Sequence, residues 1–121
     1  MREYPLGWIG VDLDGTLAIT VPDRFQIDVI GQPIPSMVRR VCEWIDAGRD
    51  VRIMTARVGP TRVENGEAEV AERAIRAWCL RHIGCELPVT CTKDYEMAEL
   101  WDDRAVSVER DTGVVLTLGR G

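Results

Sequence analysis

The segment over residues 9–16 constrains the fold most, because an apolar run ends there in two carboxylates, a glycine and a threonine. Residues 6–11 form a short, nearly continuous apolar run, which is typical of a central strand covered on both faces. Asp12 and Asp14 follow two positions apart, and Gly15 allows a sharp turn whose backbone amides we expect to face an anion. Two acids at the end of a buried strand are unfavourable unless a cation binds them. The alternative is an ordinary polar turn, since Asp, Gly and Thr are common turn residues.

Length and charge limit the class of protein. The chain has 121 residues, 45% of them hydrophobic and 29% charged, which predicts a single domain over residues 1–121 with a real core. A formal net charge of -5 argues against a general binder of nucleic-acid backbones, which needs a basic excess. No apolar run approaches the roughly 20 residues of a membrane span, and residues 1–4 do not resemble a signal peptide. We therefore expect a cytoplasmic protein with no membrane partner.

The cysteines do not form a disulfide framework. Cys42, Cys79, Cys85 and Cys91 include no Cys-x-x-Cys pair, so we expect reduced thiols. Cys79, Cys85 and Cys91, with His82, bring four potential soft-metal ligands within thirteen positions, and a zinc site is the alternative. Burial in a helix and a strand explains the same residues without a metal.

Strands and helices alternate along the rest of the chain. The pattern first predicts a strand over 6–11, a hairpin flap over 17–29 that turns at Pro22 and Asp23, and a helix that opens at 33–36 with Ser36 as a cap and ends at Gly48. A strand over 51–54, a loop over 58–66 and a helix over about 67–82 follow. The pattern then predicts a strand over 88–91, a strand that ends at Trp101, and an edge hairpin over 106–118. The second helix should bury Val70, Ala74, Ile75 and Trp78. This alternation predicts a three-layer α/β fold with a mainly parallel sheet.

Polar side chains follow all four predicted strands. The strand ends carry Asp12 and Asp14, Thr55 and Arg57, Thr92 and Lys93, and Asp102 and Asp103. Ligands of open parallel sheets bind outside the carboxyl ends of the strands, so these groups should converge. Carboxylates suit a hard divalent cation such as Mg²⁺, and the cation with Thr55 and Lys93 would hold a phosphoryl group.

The order and content of these four strand ends resemble the haloacid dehalogenase superfamily, a group dominated by phosphatases. The resemblance rests on residues 12–16 and on Asp102 and Asp103 after an apolar strand, and it covers about residues 9–104. It implies a Rossmann-like fold with a small flap and no cap domain. It also implies a magnesium-dependent hydrolase of phosphate monoesters.

Carried over by position, the resemblance makes Asp12 the nucleophile that forms an aspartyl-phosphate. Asp14 would be the general acid that protonates the leaving oxygen and then the base that activates water, which requires a raised pKa. Thr55 and Lys93 would bind phosphate. Magnesium would be held by Asp12, the backbone carbonyl of Asp14 and Asp102, with Asp103 binding directly or through water.

Two arginines extend the predicted substrate site. Arg57 can bind a phosphate with its planar fork or pair with a neighbouring acid, and Arg104 is a second candidate. The residues around Arg57 and Arg104 are somewhat similar to the phosphatase domain of phage polynucleotide kinase, where arginines face a terminal phosphate. The substrate would then be a nucleotide, a polynucleotide end or a sugar phosphate.

Two other classes remain open. A non-catalytic phosphate-binding or regulatory module would keep the fold without turnover. A phospho-accepting receiver domain has an acid pair, a Thr and a Lys, but it needs an aspartate at a strand end where this chain has Thr55 and Thr92. The open cleft expected of a capless chain also suggests a homo-oligomer, in which a second subunit covers the site.

Overall fold

The computed structural model describes residues 7–21 and 26–116 and contains one parallel sheet. Its strands are β1 (Trp8–Asp12), β2 (Val51–Met54), β3 (Val89–Thr90) and β4 (Met97–Trp101), in the spatial order β3-β2-β1-β4. Its helices are α1 (Pro35–Asp46), α2 (Pro60–Glu64) and α3 (Glu67–His82), and a 3₁₀ turn covers Ala56–Val58. The predicted α/β fold with a parallel sheet is confirmed.

β1 lies in the middle of the sheet, as its continuous apolar sequence predicts. It pairs in parallel with β2 on one side and with β4 on the other, and Val11 lies opposite both Ile53 and Trp101. Ile9 and Val11 are fully buried in the core. Because the central strand is surrounded on both edges, Asp12 at its carboxyl end is brought close to the ends of its neighbours.

α1 begins two residues earlier than a cap at Ser36 would place it. Pro35 is the first helical residue, and Ile34 is the N-cap and makes no side-chain capping bond. The Ile34 N–H donates to the Leu17 carbonyl at 2.8 Å, which holds Ile34 in an extended conformation. Ser36 therefore lies inside the helix, and the prediction of Ser36 as cap is wrong.

α3 has the predicted bounds, but its buried face differs from the predicted one. Ile75 and Trp78 are buried as predicted, whereas Ala74 is half-buried and Val70 is exposed. Two other alanines, Ala68 and Ala71, are buried. Part of the predicted loop before α3 is also helical, since α2 starts at Pro60, a residue well suited to a first turn.

The helices that pack on the sheet lie on one face of it. Ile9, Val11 and Ile53 point to the same side of their strands, and the buried residues of α1 and α3 join them in one core. Residues 91–96, which connect β3 to β4, contain no helix. The described residues therefore form two layers, and the predicted third layer is missing because this connection is too short for one.

The predicted flap and tail hairpins are only partly described. Ala18 forms one antiparallel bridge with Pro33, and the Ile19 N–H donates to the Gln32 carbonyl, so the two ends of the segment over 17–34 are joined without a strand ladder. Its turn at Pro22 and Asp23 lies outside the described residues. In the tail, Val108 and Val115 form one antiparallel bridge, and the described residues there do not pair with the sheet.

Within the ranges that the structure describes, every helix is too short or too polar to cross a membrane.

Candidate functional site

The acids lie where the direction of the sheet reverses. The chain builds outward from β1 to β2 and β3, then crosses back to place β4 on the other side of β1. Ligand sites of open α/β sheets form at such a reversal, outside the carboxyl ends of the strands. Asp12 ends β1, and Asp102 and Asp103 follow β4 directly.

These three aspartates form a compact carboxylate group, which we call the acid triad. One carboxylate oxygen from each of Asp12, Asp102 and Asp103 lies within 4.8 Å of the other two. Oxygen donors at this spacing from two adjacent strands are suited to a hard divalent cation such as Mg²⁺. The structure thus brings together three of the predicted metal ligands.

The surroundings of Asp12 raise the pKa of its carboxyl group. Burial raises the pKa of Asp12 from 3.8 to about 7, a hydrogen bond with Asp103 and the negative charge of Asp102 contribute to the same rise, and the Leu13 N–H opposes them. Without a cation, Asp12 therefore keeps its proton at pH values up to about 7. A bound cation would reverse this by favouring the carboxylate.

Thr16 fixes the position of Asp103. Its hydroxyl donates to Oδ1 of Asp103 at 3.1 Å and accepts from the backbone N–H of Asp103 at 2.9 Å. Gly15 lies beside the same carboxylate with a φ of +87°, and a Cβ there would be 2.6 Å from Oδ2 of Asp103. The turn after β1 therefore needs glycine both for its conformation and for the close approach of Asp103.

Asp14 is not part of the acid triad and forms an ion pair with Arg57. Nε of Arg57 donates to Oδ2 of Asp14 at 2.9 Å, and Nη2 donates to Oδ1 at 2.8 Å. The same guanidinium donates through Nη1 to the carbonyls of Gln26 and Ile27 at 3.1 and 2.9 Å. Both oxygens of Asp14 therefore accept hydrogen bonds from the same guanidinium group.

Thr55 shapes the turn that carries Arg57. Its hydroxyl accepts from the backbone N–H of Arg57 at 3.1 Å and caps the short 3₁₀ turn, and its own N–H donates to the Thr90 carbonyl at 2.8 Å. Thr55 and Arg57 are both 4% exposed. The cap explains why a threonine at the end of β2 is followed two residues later by a buried arginine.

A cleft of about 510 Å³ opens at the carboxyl ends of the strands. Its lining combines acids, arginines and small groups, and includes Asp12, Asp14, Thr55, Arg57, Arg62, Cys91, Asp102 and Arg104. A smaller cavity of about 240 Å³ adjoins it and shares Asp14, Arg57 and Arg104. The combination of carboxylates and guanidinium groups is suited to a cation and an anionic ligand together.

The structure does not bring every predicted residue to the cleft. Lys93 lies on an exposed segment after β3 and is outside the lining of the cleft, where Arg62 and Arg104 supply positive charge instead. The Gly15 N–H donates to the Ala18 carbonyl at 2.8 Å, so the prediction that this amide is available to an anion is wrong. The turn closes on itself because the Leu13 carbonyl accepts from three following N–H groups.

Sequence reasoning missed two contributors. Thr16 belongs to the motif over 12–16, but only its contact with a residue 87 positions away shows its role. Arg62 lies in a segment predicted as loop, and it pairs with Glu67 at 2.7 Å beside the cleft. The only sequence signal for Thr16 was a hydroxyl directly after Asp-Gly, and no sequence signal pointed to Arg62.

The alternative zinc site gains no support. Among the described residues, the acid triad is the only group of three or more His, Cys, Asp or Glu side chains with ligand atoms this close together. Cys79 is buried, and burial with the nearby Cys85 raises the pKa of its thiol to about 12. Cys79 is therefore protonated at neutral pH and belongs to the core.

The comparisons with known proteins support the fold alone. A solved structure of a conserved protein from Bacteroides thetaiotaomicron is similar to this chain, with a TM-score of 0.55 and 23% sequence identity. The similarity covers 84% of this chain and 78% of that chain. No protein-family model matches the chain, and no curated protein matches it. The two chains thus have an α/β fold in common.

Proposed function

We propose that the protein is a magnesium-dependent phosphomonoester hydrolase that acts through a covalent aspartyl-phosphate. The observation that carries the proposal is the acid triad, of which Asp12 and Asp102 line a cleft that three arginines also line. A phosphate monoester that enters such a cleft would meet both a cation site and positive side chains. Electrostatic stabilisation of this kind is the main requirement of phosphoryl transfer.

The acid triad fits a divalent cation, because it offers three carboxyl oxygens within 4.8 Å of one another. Asp12, Asp102 and Asp103 would hold the ion, and the resemblance described above adds the backbone carbonyl of Asp14. When bound, the ion would offset most of the negative charge of the triad and would polarise a phosphoryl oxygen. It would also keep Asp12 ionised, which a nucleophile requires.

Asp12 would act as the nucleophile and Asp14 as the general acid and base. An oxygen of Asp12 attacks phosphorus, the bond from phosphorus to the leaving oxygen breaks, and Asp14 protonates that oxygen. Asp14 then takes a proton from a water molecule that attacks the aspartyl-phosphate, which releases phosphate and restores Asp12. Since both oxygens of Asp14 accept hydrogen bonds from Arg57, one of these bonds must open for Asp14 to carry a proton.

The substrate class follows from the size and charge of the cleft. A volume of about 510 Å³ accommodates a nucleotide, a polynucleotide end or a sugar phosphate. Arg62 and Arg104 line it and would bind the phosphate or a second anionic group. Lys93 would join them only through a movement of its exposed segment.

A phosphate-release screen tests the proposal. The purified protein should hydrolyse an aryl phosphate and members of a panel of nucleotides, phosphorylated oligonucleotides and sugar phosphates. EDTA should abolish turnover, and D12N should abolish it as well, whereas D46N on the exposed end of α1 should retain wild-type activity. Turnover that persists in EDTA, or an active D12N variant, would contradict the mechanism.

A non-catalytic phosphate-binding module is the second candidate, and the ion pair between Asp14 and Arg57 favours it. An Asp14 whose two oxygens are held by a buried arginine is poorly placed to exchange protons. This candidate predicts that inorganic phosphate binds in the presence of Mg²⁺ although no substrate of the panel is hydrolysed. Calorimetry on the same preparation separates the two functions.

Two wider proposals concern the setting of the protein. We propose a cytoplasmic location, which the reduced cysteines support. We also propose a homo-oligomer, because an open cleft benefits from a second subunit. Sedimentation of a fully active monomer would contradict the oligomer.

A further inference from the structure

We infer that Arg57 is a positioning residue that orients Asp14 and ties it to the backbone at Gln26 and Ile27, and that it does not bind the phosphate. The catalytic part of this inference rests on the proposed function. The structural part, a link between the turn after β1 and the segment over 26–29, stands apart from it.

The hydrogen bonds of Arg57 point to this role. Its guanidinium donates hydrogen bonds of 2.8 to 3.1 Å, two of them to Asp14 and one each to the carbonyls of Gln26 and Ile27. Arg57 is only 4% exposed, so little of its surface is available to a ligand that approaches from the cleft. Arg62 and Arg104 line the same cleft and are more accessible. They are the better candidates for the phosphate.

The location of the ion pair connects it to the site. Asp14 and Arg57 line both the larger cleft and the adjoining cavity of about 240 Å³. The pair therefore belongs to the wall between the two spaces. A phosphate ester near Asp12 would place its leaving group toward Asp14, which means that the orientation set by Arg57 affects the step at the leaving oxygen.

Arg57 also stabilises the segment that begins at residue 26. The Gln26 carbonyl accepts from Nη1 of Arg57 and from the Val29 N–H, which donates to it at 3.1 Å. Gln26 and Val29 line the smaller cavity with Asp14. A change in the contact between Asp14 and Arg57 should therefore reach the Val29 amide.

The experiment compares R57K, D14N and the double variant in the full chain. Lysine keeps the charge but lacks the planar fork, and asparagine removes the charge of Asp14. Loss of the link should speed hydrogen exchange of the Val29 amide about tenfold in R57K and about threefold in D14N, because local opening becomes easier. Inorganic phosphate in the presence of Mg²⁺ should bind R57K within about threefold of the wild-type affinity, since a positioning residue makes no contact with it.

Kinetics test the catalytic part. R57K should lower kcat on an aryl phosphate about tenfold with KM changed by less than about threefold, because the loss lies in the orientation of Asp14. In the D14N background, R57K should change kcat by less than about twofold, because residues that act through one another are not additive. R76K is the matched control, since Arg76 pairs with Glu72 on α3 outside both cavities. It should behave as wild type.

Three outcomes would overturn the inference. A more than tenfold loss of phosphate affinity in R57K would make Arg57 a phosphate ligand. An effect of R57K that is as large in the D14N background as in the wild type would show that Arg57 acts independently of Asp14. Unchanged hydrogen exchange of the Val29 amide in D14N would refute the link between Asp14 and the segment over 26–29. This measurement decides the structural part of the inference even if R57K fails to fold or if the wild type proves inactive as a phosphatase.

Discussion

Thr16 and Asp103 are joined by two hydrogen bonds through a single hydroxyl, which accepts the backbone N–H of Asp103 and donates to its carboxylate. The two residues lie at the ends of neighbouring strands and are 87 positions apart. The contact therefore fixes the end of β4 against the turn after β1. It sets the spacing between Asp103 and Asp12, on which the acid triad depends.

Replacement of Thr16 by valine should weaken both stability and cation binding. Valine keeps the shape of threonine but removes the hydroxyl of the buried Thr16, so the N–H and the carboxylate of the exposed Asp103 both lose a partner. We expect a loss of about 1–3 kcal/mol in the free energy of unfolding, measured in urea, and a lower Mn²⁺ affinity, measured by calorimetry.

T112V is the matched control for T16V. Thr112 also donates to a carboxylate, that of Glu109, and accepts a backbone N–H, that of Val114, but it is exposed in the tail. Both stability and cation affinity should stay close to wild type in T112V. Equal losses in the two variants would show that the Thr16 contact has no special role at the site.

Alanine at position 15 should damage the site through a steric clash. Its Cβ would lie 2.6 Å from the Asp103 carboxylate, and the φ of +87° is unfavourable for a side chain. Gly66 has a φ of +82° with nothing within 4 Å of the same Cβ position, so G66A carries the backbone cost without the clash. We expect G66A to lose about 1 kcal/mol of stability and no cation affinity. G15A should lose more stability and bind Mn²⁺ weakly, and equal behaviour of the two variants would contradict the clash.

Much of the fold was predictable because its signals are local. The apolar run of β1, the spacing of α3 and the β-branched residues of β2 gave correct elements, and parallel strands place their carboxyl ends together. The acid triad followed from that rule. The number of layers did not follow from the sequence, because it depends on whether a connection such as residues 91–96 contains a helix.

The contacts within the site were less predictable than its location. Lys93 and Arg57 both follow strand ends, yet the first is exposed and the second is buried against Asp14. The burial of Arg57 depends on carbonyls from a loop 30 residues earlier in the chain, which no local pattern reveals. The same holds for Thr16, whose partner is known only once β1 and β4 are adjacent.

Asparagine at Asp102 or Asp103 should weaken cation binding more than it weakens the fold. Each change removes one charged oxygen ligand from the triad and relieves repulsion within it. We expect the Mn²⁺ affinity of D102N and D103N to fall at least about tenfold, as measured by calorimetry. D46N, with its exposed position in α1, should bind Mn²⁺ like the wild type. Wild-type affinity in D102N would mean that the triad is not the cation site.

The raised pKa of Asp12 predicts an unusual dependence of stability on pH when no divalent cation is present. The folded pKa is about 7 and the ordinary value is 3.8, so between these values the folded state holds a proton that the unfolded state has lost. The contribution of Asp12 to the free energy of unfolding is full below about pH 3.8 and falls as the pH rises through 7. In EDTA, a rise from about pH 4.5 to about pH 8 should lower the free energy of unfolding of the wild type by about 2 kcal/mol more than that of D12N. This value is reduced for partial solvent screening. Urea unfolding at a series of pH values measures this. The proposed Mg²⁺ ion would bind the carboxylate form, so Mg²⁺ should stabilise the wild type more at about pH 8 than at about pH 5 and leave D12N nearly unchanged. A difference between wild type and D12N that is constant with pH would show that Asp12 titrates at its ordinary value.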